Sequence, residues 1–209
     1  MSLVITFADF TIVAMCILFG YLGYRMGFYD SLLALIGFHF ALGLSLPLMR
    51  YTVSFFSFVL ELPPDMSLLL GLSFLFGLFT LLWVFFSQWI HSLVKMQVVE
   101  WFNRGAGILL GSYRGFLIVS LMALGFSILP LTQAVTYTET YSTLFRRIRC
   151  FLPMKYNYVR RLVPRTPSFE QTLIGTLRGT GAPEDRIIIL WQRLGSCTLT
   201  PEQLEDMYR

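Results

Sequence analysis

Residues 67–90 form a run of twenty-four residues without a single charge, rich in Leu and Phe. A helix that is apolar on every side at this length suits a bilayer, which about twenty such residues cross. Two further runs have similar character: residues 3–24, broken only by Asp9, and residues 31–49, with His39 near the middle. A fourth lies within residues 103–131. Composition agrees, with 56% hydrophobic residues, 13% charged and a mean hydropathy of +0.66, too little polarity to cover a soluble body. The chain reads as an all-α integral membrane protein with four transmembrane helices in residues 1–130 and a basic, partly helical tail in 131–209.

The fourth run opens with Asn103-Arg-Gly-Ala-Gly107 and carries Gly107, Gly111 and Gly115 at every fourth position. In a helix these share one face and leave a groove where another backbone can lie close. Arg114 sits beside that groove, and a guanidinium near hydrocarbon needs a partner, water or a route to headgroups. An echo lies upstream in Gly20-Tyr-Leu-Gly23-Tyr-Arg25-Met-Gly27-Phe, between the first two runs. Two readings of the fourth run stand. In one the helix begins near Phe102 and buries Arg114 by about three turns; in the other only residues 115–131 cross and Arg104 to Ser112 fold along the surface.

Around these spans the expectations are specific. Asp9 stands either at the headgroup boundary or is drawn inward towards a cation, the boundary being favoured because about one turn of helix precedes it. His39 is expected to hydrogen-bond a neighbouring helix, the alternative being a proton relay. Residues 51–60 are too short to cross and read as an interfacial or re-entrant piece stopped by Pro63 and Pro64. Trp83, Trp89 and His91 suit the water interface at the end of the third span. Residues 92–104 read as a mixed connection. The N-terminus lacks both the basic start and the cleavage site of a signal peptide, so the first run reads as a retained anchor. Arg50 with Arg146, Arg147 and Arg149 would lie on one face of the membrane, and Arg25, Lys95 and Arg104 on the other; this places both termini in the cytoplasm.

Of sixteen Lys and Arg, eleven follow residue 131, so basic character belongs to the tail. Anionic lipid is a better target for it than nucleic acid. Leu144, Ile148, Phe151 and Leu152 oppose Arg146, Arg147 and Arg149 in a basic amphipathic helix ended by Pro153. It either lies on the membrane surface or packs on the bundle's own polar loops. Pro164-Arg-Thr-Pro167 reads as a linker, and short helices are expected over residues 184–194 and 202–208. The tail is then a small docking module or partly disordered.

Chemistry is sparse. Gly111-Ser-Tyr-Arg-Gly115 has its serine in the wrong place for a nucleophile elbow, and Gly179-Thr-Gly181 is most simply a turn. Phosphate-loop and zinc-protease motifs are missing from the sequence, and Cys16, Cys150 and Cys197 have neither metal-ligand spacing nor a disulfide framework. The expectation is no enzyme, no cofactor and no metal.

The order of these elements resembles the colicin V production protein family of bacterial inner-membrane proteins. The resemblance rests on Asp9 opening the first span, Gly20 with the hairpin Gly23-Tyr-Arg25-Met-Gly27, an apolar third span, and Asn103-Arg104 to Gly107 followed by Gly111 and Arg114-Gly115. It covers about residues 5–130 and implies a multi-pass inner-membrane protein needed for peptide-toxin (bacteriocin) production and export, with a broader envelope role. Two function classes follow. One is a non-enzymatic membrane factor whose bundle and tail organise lipid, a second copy of the chain or an export-machinery partner. The other is a small oligomeric channel or transporter with Arg25 and Arg114 lining the path, its halves related as internal repeats.

Overall fold

The structure, a computed structural model, describes residues 7–93, 99–128, 142–159 and 167–198. Among them seven helices follow in order: α1 (Phe7–Met26), α2 (Phe28–Leu60), α3 (Pro64–Leu93), α4 (Glu100–Ile128), α5 (Thr143–Val159), α6 (Phe169–Gly179) and α7 (Glu184–Thr198). The first four are long and apolar enough to cross a membrane. The chain is an all-α membrane protein. The expected helix over 202–208, most of the 164–167 linker and Lys95 lie outside the described residues.

Two segments join their neighbours where breaks were expected. Residues 51–60 are not a separate interfacial piece: α2 runs unbroken for 33 residues, with Pro47 inside it. Thirty-three residues at about 1.5 Å each give about 50 Å, well beyond a hydrocarbon core of about 30 Å. The length is held because α3 runs antiparallel alongside; Val53 closes on Gly71, and Val53, Leu68 and Leu72 share one buried cluster. Glu61, in the left-handed region at φ 50°, ends α2, and Pro64 opens α3 at a position where the missing N–H is harmless. Likewise residues 100–104 belong to α4, not to a connection. One continuous 29-residue helix contains the whole glycine run, which rules out the surface-folded reading and sets Arg114 at its midpoint.

Trp83 is engaged with α2. Its indole lies over Gly37, where a Cβ would stand 2.1 Å from Cδ1, and its Nε1–H donates to the Leu33 carbonyl of α2 at 2.8 Å. Trp89 is exposed. His39 is bonded within its own helix, Nδ1 to the Leu35 carbonyl at 2.9 Å, so the expected bond to a neighbouring helix is not made there.

The tail helices share the bundle's interior. Leu46 and Met49 of α2, Leu68 of α3 and Leu117 and Leu124 of α4 are buried in the same cluster as Leu152 of α5, Phe169 and Leu173 of α6 and Leu194 of α7. The apolar face of the basic amphipathic helix packs on the spans themselves and not on polar loops. Phe145, Ile148 and Leu152 are buried against α4, with the Phe116 and Phe151 rings 4.7 Å apart. Arg149 is 2% exposed, so it does not share the solvated face with Arg147. Pro153 does not end α5, which continues to Val159. Ser120 of α4 explains the tolerance: its hydroxyl donates to the Ile148 carbonyl at 2.6 Å and accepts from the Leu152 N–H at 3.0 Å, standing between two groups that a straight helix joins directly.

Candidate functional site: the seam between α1 and α4

The two glycine elements are not two separate corners. They face each other. Gly23 packs on Gly107 and Gly111, Gly20 on Ser112, Gly27 on Asn103 and Gly115 on Phe19, which fixes α1 and α4 as antiparallel neighbours. A Cβ at Gly23 would lie 2.2 Å from the Gly107 oxygen, and one at Gly111 would lie 2.4 Å from the Phe19 oxygen. Backbone meets backbone, so neither side can give way as a flexible side chain would. Close approach of this kind lets dispersion hold helices together where lipid supplies no hydrophobic drive.

At one end of the seam the chain turns from α1 into α2 through Gly27 alone, at φ 84° and ψ 179°. That conformation disfavours any residue with a Cβ, and the space is filled by the Asn103 amide. Asn103 Oδ1 accepts the Phe28 N–H at 2.7 Å, satisfying one of the orphan donors that open α2 across 75 residues of sequence. Arg104 stands beside it, donating to the Tyr24 hydroxyl at 2.9 Å and to Glu100 Oε1 at 2.5 Å, with its guanidinium 5.4 Å from the centre of the Tyr24 ring. Both Arg104 and Glu100 are largely exposed, so this clamp orients the helix ends more than it stabilises them.

At the other end Asp9 is 8% exposed and accepts from the Ser142 hydroxyl at 2.5 Å. It is buried in the first turn of α1, against the start of α5. Ser142 in turn accepts the Phe145 N–H at 3.0 Å and caps α5, whose positive dipole end then faces the carboxylate. α1 is thus pinned at one end to the α2 turn and at the other to α5.

Arg25 and Arg114 do not meet. With Gly23 level with Gly107 and Gly27 with Asn103, Arg25 is at the level of Gly105, about 13 Å along the axis from Arg114 at about 1.5 Å per residue. Arg25 is exposed, whereas Arg114 is partly buried and its Nε is enclosed without a hydrogen-bond acceptor among the described residues. The antiparallel seam also means that the two glycine elements serve as partners in one contact.

The family model described as Colicin V production protein matches residues 8–151. The chain belongs to the colicin V production protein family. The match takes in the glycine seam, the Asn103 cap, Asp9 with Ser142, and the first half of α5, which carries the family's unit beyond the residue 130 expected from sequence. No curated protein and no solved structure matches the chain.

Two arrangements escaped sequence reasoning. Gly37 has a signal, a lone glycine inside an apolar run, but its partner Trp83 lies 46 residues away. Cys150 and Cys197 are joined in a disulfide between α5 and α7, Cα atoms 4.9 Å apart, correcting the expectation that the cysteines form no disulfide framework. A separation of 47 residues on two different helices leaves no spacing rule to find it.

Proposed function

We propose that this protein is a non-enzymatic, multi-pass inner-membrane factor that serves the production and export of a peptide toxin and the upkeep of the bacterial envelope. In this reading the bundle is a rigid platform and the tail helices are its docking face. The observation that carries it is the seating of α5, α6 and α7 on the bundle through one apolar core, which offers a partner a fixed surface. On that surface a groove of about 500 Å³ between α6 and α7 is lined by Arg178, Ile188 and Trp191 among others, and Ile188 and Ile189 are exposed. An export component or anionic lipid at Arg147 and Arg178 fits this chemistry, and the exposed apolar faces of α1 and α3 suit lipid or a second copy.

Removing the tail is a poor test, because it would uncover the bundle's interior. A charge placed on the groove lining avoids that. A toxin-producing strain lacking its own copy is complemented with wild-type protein and with the variant Ile188→Asp, which puts a charge on that lining. The variant is expected to insert at wild-type levels and to lower secreted toxin severely; unchanged secretion would remove the docking reading.

A second reading, the small channel or transporter, draws on Arg114 alone. A cation at the midpoint of a spanning helix with Nε unsatisfied suits an anion or water beside it. Purified protein in liposomes then passes anions at a rate that Arg114→Leu reduces, and vesicles no leakier than empty ones exclude it.

A further inference from the structure

The disulfide between Cys150 and Cys197 is a bond that a reducing cytosol does not maintain. We infer that it forms in the cell and that the α5–α7 layer, with the start of α1 and the α2–α3 turn, therefore faces the oxidising side of the membrane. This rests on the bacterial inner-membrane reading above and reverses the orientation expected from counting charges along the sequence.

The helix boundaries supply an independent reason. Orientation follows Lys and Arg in short loops near the span ends, whereas long domains cross largely regardless of their charge. The α2–α3 turn, at the tail end of the bundle, carries Glu61 and is followed by Asp65; no Lys or Arg occurs between residues 51 and 94. Arg50, in the last third of α2, is the one Lys or Arg before residue 131 that lies towards this end. At the opposite end Arg25 borders the Gly27 turn and Arg104 stands at the start of α4; in sequence, Lys95 falls between α3 and α4. The eleven basic residues beyond 131 belong to a segment of about eighty residues, longer than the loops of about sixty or fewer to which the rule applies. Once these are set aside, the cationic loops gather at the Gly27 end, and that end faces the cytoplasm.

Contacts around the bond fit a structural role. Ser120 holds α5 two residues beyond Cys150, and Tyr156 and Asn157 of α5 hold the start of α6. Leu190 and Leu194 of α7 are buried in the shared core. The bond closes the circuit from α5 through α6 to α7. Its formation needs a dithiol–disulfide oxidant of the compartment. The Cys150 thiolate attacks one sulfur of that oxidant and displaces the other as thiolate; the Cys197 thiolate then attacks Cys150 Sγ in the mixed disulfide. The oxidant leaves as a dithiol, having taken up two electrons and two protons.

Two measurements on the full-length protein in cell membranes test this, and neither reads toxin export, so a failed export reading leaves them intact. Cells are quenched in acid, and the denatured protein is treated with a maleimide-linked polymer. One adduct, at Cys16, is expected without reductant and three after reduction, while Cys150→Ser should show two without reductant. Three adducts on the wild-type chain without reductant would overturn the inference. A C-terminal alkaline phosphatase fusion should be active and a C-terminal green fluorescent protein fusion dark. The opposite pattern would overturn the orientation even if the bond were found.

Discussion

Replacing Gly107 by alanine tests the seam most directly, because Gly105 supplies a control two residues away in the same helix. A Cβ on Gly107 would lie 2.4 Å from the Gly23 oxygen and 2.9 Å from the Gly27 carbonyl carbon, whereas one on Gly105 meets nothing within 4 Å. Restoring ordinary contact requires α1 and α4 to part by about 1 Å, and a gap of that size forfeits a quarter to a half of each dispersion well along the contact. Overpacking of this kind costs about 1–3 kcal/mol. Both substitutions also remove glycine's helix penalty of about 0.5–1 kcal/mol, and that gain cancels when the two are compared. Gly107→Ala is therefore expected to fall below Gly105→Ala by about 1–3 kcal/mol. The measurement is reversible unfolding of purified protein in mixed micelles as the SDS fraction rises, followed by helical circular dichroism. Coincident curves for the two variants would refute the claim that backbone contact holds α1 on α4.

Three further expectations follow from individual contacts. Asn103→Leu leaves the Phe28 N–H without its acceptor and should lower stability by about 1–2 kcal/mol in the same titration, whereas Asn103→Asp, which keeps an acceptor oxygen, should lose less. Ser120→Ala strips both the Ile148 carbonyl and the Leu152 N–H of their partner; a loss of about 1–3 kcal/mol is expected, with faster hydrogen exchange at Leu152. Arg114→Leu removes a cation from the middle of α4 and should raise stability by about 2–3 kcal/mol on insertion-type scales while impairing complementation; a drop in stability instead would make Arg114 a structural anchor.

What could be read from sequence was set by periodicity and run length. Gly107, Gly111 and Gly115 announced a groove because their spacing is a property of one helix; what fills it is a property of two. The similarity of the Gly20–Gly27 element suggested a symmetric twin, when it was the other half of the contact. Asn103 shows the same divide: its place beside the glycines was visible, but its task, capping a helix 75 residues earlier, exists only once α1 and α4 are side by side. Pro153 was read as a stop, although Ser120 accommodates it from another helix and α5 runs on to Val159. α6 was legible and passed over, since Ser168 and Gln171 have the spacing of the capping box that they form, Ser168 Oγ accepting the Gln171 N–H at 3.1 Å and Gln171 Oε1 accepting the Ser168 N–H at 3.0 Å.

The extent of the family match bears on how the tail should be understood. Residues 8–151 close just after Ile148, so they contain both partners of the Asp9–Ser142 bond and of the Ser120–Ile148 bond, two of the ties that hold the first half of α5 on the bundle. α6 and α7 lie beyond the matched residues, and they reach the bundle through apolar burial, with Phe169, Leu173 and Leu177 enclosed beside Met49 and Val53 of α2. Cys150, one residue from the end of the matched region, is bonded to Cys197 in α7. The covalent tie thus joins the family's unit to the layer outside it. Besides buried apolar side chains, α6 is tied to α5 by Asn157, which accepts the Phe169 N–H and donates to Glu170, whereas α7 adds the covalent bond. With the bond closed, α7 cannot leave without α5, and α5 is held by buried hydroxyl bonds as well as by packing. Reduction should therefore loosen α6 and α7 ahead of the four spans, which limited proteolysis with and without reductant can read directly.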